Sequence, residues 1–81
     1  LEMIPYGHLT LINNVDRPGV IGSIASVLGE HDINIAQMQV GQEKDGKKNI
    51  VFLRTDIPIP EEVLEKLSAL QMVNSVTHFE L

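Results

Sequence analysis

Cysteine is absent from this sequence, aromatic residues are rare, and no long apolar run occurs. The lack of cysteine excludes disulfides, thiol nucleophiles and the commonest zinc-binding frameworks. No apolar stretch approaches the ~20 residues that a membrane-spanning helix requires, so we expect no membrane partner. A chain without cysteine suits a reducing compartment, and we predict a cytoplasmic location. Because only 4% of the residues are aromatic, the core must consist mainly of Val, Ile and Leu.

Positive charge is also scarce. The chain has 6 Lys and Arg residues against 11 Asp and Glu residues, which gives a formal net charge of −5. Proteins that bind nucleic acid usually present clustered Lys and Arg to the phosphates, so we expect no nucleic-acid partner. With 81 residues the chain forms one domain and buries a modest core. We therefore expect a second copy or a parent protein to cover part of its apolar surface.

Hydrophobic periodicity divides the chain into a short leading segment and six elements. Residues 1–7 contain Pro5 and Gly7 and show no period, and we interpret them as a linker remnant before a domain over residues 8–81. Within that domain, alternating or continuous apolar residues predict strands, and apolar residues three and four apart predict helices. The predicted elements are strands over 8–13, 33–42, 50–55 and 73–81, and helices from about 18 to 31 and from Pro60 onward.

The order of these elements, βαββαβ, predicts the fold. Two β-α-β crossovers of the usual right hand place both helices on one face of a sheet. The fold class is therefore α+β: a ferredoxin-like βαββαβ sandwich with a four-stranded antiparallel sheet and two helices on one face. Local signals also predict two connections. Asp32 takes a left-handed conformation after the first helix, and Asp45-Gly46 forms a hairpin turn with two positive φ angles.

The segment from Asn13 to Gly22, with the sequence NNVDRPGVIG, joins the first strand to the first helix. Pro18 suits the first helical turn, and Asp16 lies close enough to cap it. Free N–H groups at a helix N-terminus bind anions such as a carboxylate, and Gly19 lets backbone approach a ligand closely. The alternative is purely structural, with Asp16 as a cap and the glycines as packing points. The residues alone leave both interpretations open.

No pattern in the sequence indicates catalysis or metal binding. The three histidines lie in different predicted elements, and none is paired with another His or Glu at a metal-binding spacing. A phosphatase of the same topology would need a phosphate cradle, but Arg17 stands between Asp16 and Pro18. RNA binding would need exposed aromatics on the central strands, and Phe52 alone does not supply them. We predict no catalytic residue, no metal and no cofactor in this domain.

Two longer motifs resemble those of a known family. They are DRPGVIG at residues 16–22 and LGEHDINIAQMQVG at residues 28–41. At this distance from each other they are similar to the motifs of the ACT regulatory domain, and most similar to those of the ACT domain at the C-terminus of bacterial D-3-phosphoglycerate dehydrogenases. The resemblance covers residues 8–81.

The resemblance implies an amino-acid sensor. Such domains pair side by side into an eight-stranded sheet, and the effector lies between the strand-to-helix loop of one copy and the second strand of the other. Carried over to this sequence, the effector contacts are Asn14 and Asp16 in the loop, the backbone of Gly19 and Val20, and Asn34 from the neighbouring copy. The homodimer is expected to form through the sheet edge and the first helix. Asp16 offers an acceptor for an ammonium group, and the asparagines offer both donors and acceptors.

For the whole protein, the resemblance implies an allosteric domain of a phosphoglycerate dehydrogenase in L-serine biosynthesis, attached to upstream catalytic domains that use NAD. The usual effector there is L-serine. Asn14 stands where the serine-inhibited members carry His, and Asp16 where they carry Asn, so another small amino acid is an alternative effector. Two further alternatives stay open: a similar domain in iron–sulfur L-serine dehydratases, and a structural dimerisation module without an effector. In the latter case Asn34 only satisfies backbone groups at a strand start.

Overall fold

A computed structural model describes residues 6–81, and its elements follow the predicted order. They are β1 (His8–Val15), α1 (Val20–Glu30), β2 (Ile35–Gln42), β3 (Lys48–Thr55), α2 (Glu61–Ser68) and β4 (Val73–Glu80). Most of the predicted linker, residues 1–5, lies outside the described residues. Gly7 exchanges two backbone hydrogen bonds of 3.1 Å with Leu81, so the pairing of β1 with β4 continues beyond the strands themselves.

The four strands form one antiparallel sheet in the order β2-β3-β1-β4. β1 and β3 are central, and each helix connects two strands that have a third strand between them. The predicted α+β, ferredoxin-like sandwich is confirmed. We call the end of the sheet at Val15 and Gln42 the turn end, and the end at His8 and Ile35 the far end.

Both helices cover the same face of the sheet, because their buried side chains share one apolar core with the central strands. The core residues are Val20, Ile24 and Leu28 of α1, Val63 and Leu67 of α2, and Ile12, Val51 and Leu53 of the sheet. Burying each such side chain contributes roughly 1.5–3 kcal/mol to the free energy of folding. Because Ile12 of β1 and Val20 of α1 both belong to this core, the connection between the two elements is held at both ends. Within residues 6–81, no helix is long and apolar enough to cross a membrane.

The edge strand β2 departs from the predicted alternation of its side chains. Ile35 lies opposite Thr55 and Gln37 lies opposite Arg54. Ala36 is therefore an extra residue in the pairing. A bulge of this kind interrupts the two-residue period of a strand. It puts Ile35 on the helix-covered face together with Met38. Strict alternation along residues 33–42 predicts Met38 and Val40 on one face and Ile35 on the other, and this prediction is wrong for Ile35.

The backbone at two predicted turns gives different outcomes. Asp32 has a φ of 56°, the left-handed conformation predicted for it. In the hairpin between β2 and β3, only Gly46 has a positive φ, so the predicted turn with two such angles is wrong. The Gly46 N–H donates to the Glu43 carbonyl at 2.9 Å, and the Lys47 N–H donates to the Asp45 carboxylate at 3.0 Å. This longer loop spares Asp45 a positive φ, which only glycine adopts without strain.

Candidate effector site

Asn14 is a buried residue of β1, and the prediction that placed it in a loop is wrong. β1 continues to Val15 because Ile12 and Asn14 keep the alternation that faces the core, and Asn14 has 0% of its surface exposed. Its amide nitrogen lies 3.5 Å from the Ile12 carbonyl oxygen, a long hydrogen bond, and its Oδ1 has no partner among residues 6–81. An unpaired buried polar atom costs about 1–3 kcal/mol, and water, an ion or a ligand often supplies its partner.

Pro18 and Gly19 form a type II β-turn, and the prediction that Pro18 opens the helix is wrong. Gly19 has φ 88° and ψ −12°, which suit the third residue of this turn, and the Val20 N–H donates to the Arg17 carbonyl at 3.3 Å. α1 consequently begins at Val20. The positive φ explains why glycine occupies position 19, since a Cβ there is strained by its own backbone.

Asp16 does not cap α1, contrary to one of the two interpretations of the sequence. Its exposed carboxylate accepts a hydrogen bond from Gln42 Nε2 at 2.6 Å on one oxygen and from Asn49 Nδ2 at 3.1 Å on the other. Its backbone N–H donates to the Lys47 carbonyl at 2.9 Å. The turn before α1 is therefore attached to the hairpin of β2 and β3, and not to its own helix.

Gln42 and Asn49 are candidate site residues that sequence reasoning missed. They lie 26 and 33 positions from Asp16 along the chain, and neither belongs to a recognisable motif. The antiparallel register of β2 and β3 places them directly opposite each other. The one available signal was topological: in a ferredoxin-like sheet β3 lies beside β1, so the start of β3 lies near the end of β1.

Asn34 lies at the far end of the sheet, next to the first residue of β2. Its Nδ2 donates to the Asp56 carboxylate at 2.8 Å. The eight residues of β2 separate it from the turn end, a distance of roughly 23 Å for an extended strand. Of the five predicted contacts, the fold brings Asn14, Asp16, Gly19 and Val20 to the turn end and leaves Asn34 remote within one chain.

A surface cavity of about 240 Å³ lies beside the turn, on the side of the α2–β4 connection. It is lined by Pro18, Gly19, Val20, Ser23, Leu70, Gln71 and Met72. Asn14 and Asp16 are not among these residues. The predicted contacts at the turn end therefore lie on two sides of the turn. Asp16 lies toward the edge strand β2, where it binds Gln42, and Gly19 and Val20 line the cavity.

The three histidines make contacts within the domain. His8 Nδ1 lies 3.3 Å from a Glu80 carboxylate oxygen, and His78 Nδ1 lies 2.9 Å from the Thr10 hydroxyl. His31 Nδ1 donates to the Val27 carbonyl at 2.8 Å. Within residues 6–81, no group of three or more His, Asp or Glu side chains is arranged to hold a metal ion. His78 therefore joins β4 to β1, His8 lies beside the end of β4, and His31 binds the last turn of α1.

Charge is distributed unevenly between the two ends of the sheet. Four of the chain's 6 basic residues lie at the turn end, with Arg17, Lys44 and Lys47 in its two connections and Lys48 at the start of β3, and they outnumber the acidic Asp16, Glu43 and Asp45 there. The far end of β2 instead carries Asp32 and Asp56, on the connections that precede β2 and follow β3. The turn end is therefore the more favourable end for an anionic group such as a carboxylate.

The comparison with family models identifies one family. The model of the ACT domain matches residues 8–71. Similar curated proteins include D-3-phosphoglycerate dehydrogenases from Methanocaldococcus jannaschii, 40% identical over 81 residues, and from Bacillus subtilis, 36% identical over 81 residues. Both alignments cover 100% of this chain, which spans only 16% and 15% of the two relatives.

Solved structures agree with the fold. The crystal structure of the ACT domain from GTP pyrophosphokinase of Chlorobium tepidum has a TM-score of 0.71 and 22% identity, covering 94% of this chain and 100% of that one. The solution structure of the C-terminal domain of the MgtC protein from Mycobacterium tuberculosis has a TM-score of 0.64 and 16% identity, covering 98% and 92%. At these identities the likeness concerns the fold alone. With the family model matching most of its length, this chain belongs to the ACT domain family, a family of regulatory modules.

Proposed function

We propose that this domain is the amino-acid-sensing module of a D-3-phosphoglycerate dehydrogenase and that it works as a dimer paired through β2. L-serine or another small amino acid is the effector. One observation carries the proposal: Asp16 lies at the turn end of the sheet and Asn34 at the far end, and both adjoin the edge strand β2. A single chain cannot bring these two contacts together, whereas two chains can.

Antiparallel pairing of two β2 strands joins the separated contacts. In an isologous dimer the two strands run in opposite directions about a two-fold axis, so the start of one lies beside the end of the other. Asn34 of the second copy then lies beside Gln42, which binds Asp16. Within residues 6–81, β2 is an edge strand whose one strand partner is β3, which supports pairing with a second copy on its other side.

The surface of β2 suits a second copy. Met38 and Val40 are 40% and 48% exposed, although their neighbours across the pairing, Leu53 and Val51, are fully buried. A second copy covers these side chains and removes their apolar area from water. The same pairing sets the hairpin lysines of one copy, which outnumber Glu43 and Asp45, beside Asp32 and Asp56 of the other, and this adds a favourable charge interaction.

The chemistry of the joined site fits an amino acid. The Asp16 carboxylate accepts hydrogen bonds from an ammonium group, and Asn34 both donates and accepts. The N-terminus of α1 offers a carboxylate the positive end of the helix dipole and the N–H groups of its first turn, apart from that of Val20, which donates to the Arg17 carbonyl. An effector held between two copies stabilises the interface geometry that it fits. It changes catalysis in the parent enzyme only if it binds one conformational state of that enzyme more tightly than another.

The parent enzyme is proposed from the relatives. The dehydrogenases at 40% and 36% identity support phosphoglycerate dehydrogenase over an iron–sulfur L-serine dehydratase. In that protein, NAD-dependent catalytic domains precede this domain in the chain, in the cytoplasm. If serine is the effector, the domain senses the end product of the pathway in which such an enzyme catalyses the first step.

A second candidate function is structural dimerisation without an effector. The observation that favours it is that the predicted contacts already have partners: Asp16 binds Gln42 and Asn49, and Asn34 binds Asp56. On this alternative, these hydrogen bonds stabilise the ends of β2, and the strand edge pairs whether or not an amino acid is present.

Calorimetry and sedimentation with and without L-serine and glycine distinguish the two functions. The sensor predicts saturable binding to a dimer and loss of that binding in Asn34→Ala. Asn13→Ala is the matched control, because Asn13 also donates a side-chain hydrogen bond, to Ser75 at 3.0 Å, but lies away from β2. A dimer that binds no amino acid supports the structural module. A monomer without ligand contradicts both.

A further inference from the structure

The last residue pair of β2 and β3 begins a row of amide side chains across the sheet. Gln42 lies opposite Asn49, and Asn49 lies opposite Asn14, so the three share the helix-covered face at the turn end. The preceding row on this face is apolar, with Val40, Val51 and Ile12. Asp16 lies above the row and binds two of its three members. The core therefore ends in a polar layer whose members hold the carboxylate.

Burial makes this layer costly unless its hydrogen bonds are used. Asn49 is 8% exposed and Asn14 is 0% exposed. Apolar residues at these positions would avoid the desolvation of two amides, which is unfavourable for each amide left unpaired. The hydrogen bond from Asn49 to Asp16 offsets this cost, whereas Asn14 Oδ1 stays unpaired among residues 6–81.

The arrangement determines what Asp16 can bind. An ionised carboxylate has about four lone-pair positions, and Gln42 and Asn49 take one on each oxygen. The remaining positions point in fixed directions and accept hydrogen bonds but donate none. An asparagine at position 16 has only one acceptor oxygen, so one of the two amides would have to turn its own carbonyl toward it. The network is thus specific for a carboxylate.

We infer that Gln42 and Asn49 are positioning residues that hold Asp16 as an oriented anionic acceptor, so that the site selects effectors with a cationic amino group over otherwise identical effectors with a neutral hydroxyl. The inference rests on the proposed function, because it concerns the same effector site. L-serine and L-glycerate are the matching probes, since they differ only in the ammonium or hydroxyl group on the α-carbon.

The test measures the affinity of both probes for the 81-residue chain and for two variants. Because a charge-assisted hydrogen bond is about twice as strong as a neutral one, the unmodified chain should prefer L-serine by roughly tenfold or more. Gln42→Met keeps the length of the side chain and removes its amide, and Asn49→Leu does the same in the buried row. Both variants should reduce the preference several-fold toward equal binding. Asn13→Ala, which removes a side-chain hydrogen bond to Ser75, should leave it unchanged.

The outcomes separate this inference from the function on which it rests. If the unmodified chain binds no amino acid, the proposed function fails and the inference fails with it. If the chain binds L-serine but Gln42→Met and Asn49→Leu keep the full preference over L-glycerate, the inference alone is overturned. Should Asn49→Leu unfold the domain in a thermal melt, Gln42→Met decides the question, because Gln42 is exposed and its replacement leaves the core intact.

Discussion

The Lys66 ammonium donates a hydrogen bond to His31 Nε2 at 3.0 Å, which connects the C-terminal end of α1 to α2. Nδ1 of the same ring donates to the Val27 carbonyl, which leaves Nε2 as the acceptor for Lys66. The two helices are thus joined at their surface by one side-chain hydrogen bond.

A double-mutant cycle tests that bond. We expect Lys66→Met and His31→Phe to show a favourable coupling of less than about 1 kcal/mol in the free energy of unfolding, because the pair is exposed. The free energies of unfolding of the unmodified chain, the two single variants and the double variant give the coupling. A coupling of zero, or an unfavourable one, would contradict this description.

Two glycines at the start of α1 should respond to alanine in opposite ways. Gly19→Ala is expected to destabilise the domain by about 1–2 kcal/mol, because φ 88° is strained for any residue with a Cβ. Gly22→Ala is expected to stabilise it by about 0.5–1 kcal/mol, since Gly22 lies within α1 and alanine is the better helix former. Neither added Cβ meets another atom within 4 Å, so packing does not obscure the comparison. Chemical denaturation of both variants gives the signs directly.

The proposed interface at β2 can be blocked by one charge. Val40→Lys puts an ammonium group on the edge strand at a position that is 48% exposed, and we expect it to convert a dimer to a monomer without unfolding the sheet. Thr77→Lys is the control, because Thr77 is an exposed residue of the other edge strand, β4. Sedimentation measures the assembly and circular dichroism the fold. A Val40→Lys dimer as stable as the unmodified one would place the interface elsewhere.

Charge complementarity predicts how the dimer responds to salt. If Lys47 and Lys48 of one copy lie near Asp32 and Asp56 of the other, the dimer dissociation constant should rise as ionic strength rises. The double variant Lys47→Gln, Lys48→Gln should dimerise more weakly at low salt and show a smaller salt dependence. Dimerisation that strengthens with salt in both proteins would indicate that apolar burial dominates and that the charges play no part.

Much of the fold could be predicted from local patterns. The apolar spacings of α1 and α2, the apolar patterns of β1 and β3 and the left-handed Asp32 all act over a few residues, and each is confirmed with small shifts at the ends. The errors occurred where a distant segment competes with the local preference. The bulge at Ala36, for example, follows from how β2 pairs with β3, which the residues around position 36 do not specify.

The candidate site divides in the same way. Its segment was identified from the sequence, but its turn was not, because Pro18 suits both the first position of a helix and the second position of a turn. The partners of Asp16 were also missed, since its carboxylate competes between the nearby helix N-terminus and two amides that come close only when β2 and β3 pair. Local propensity determined the elements and their order in this protein. Tertiary structure decided which side chains meet, because strand register and burial join residues that are far apart in the chain.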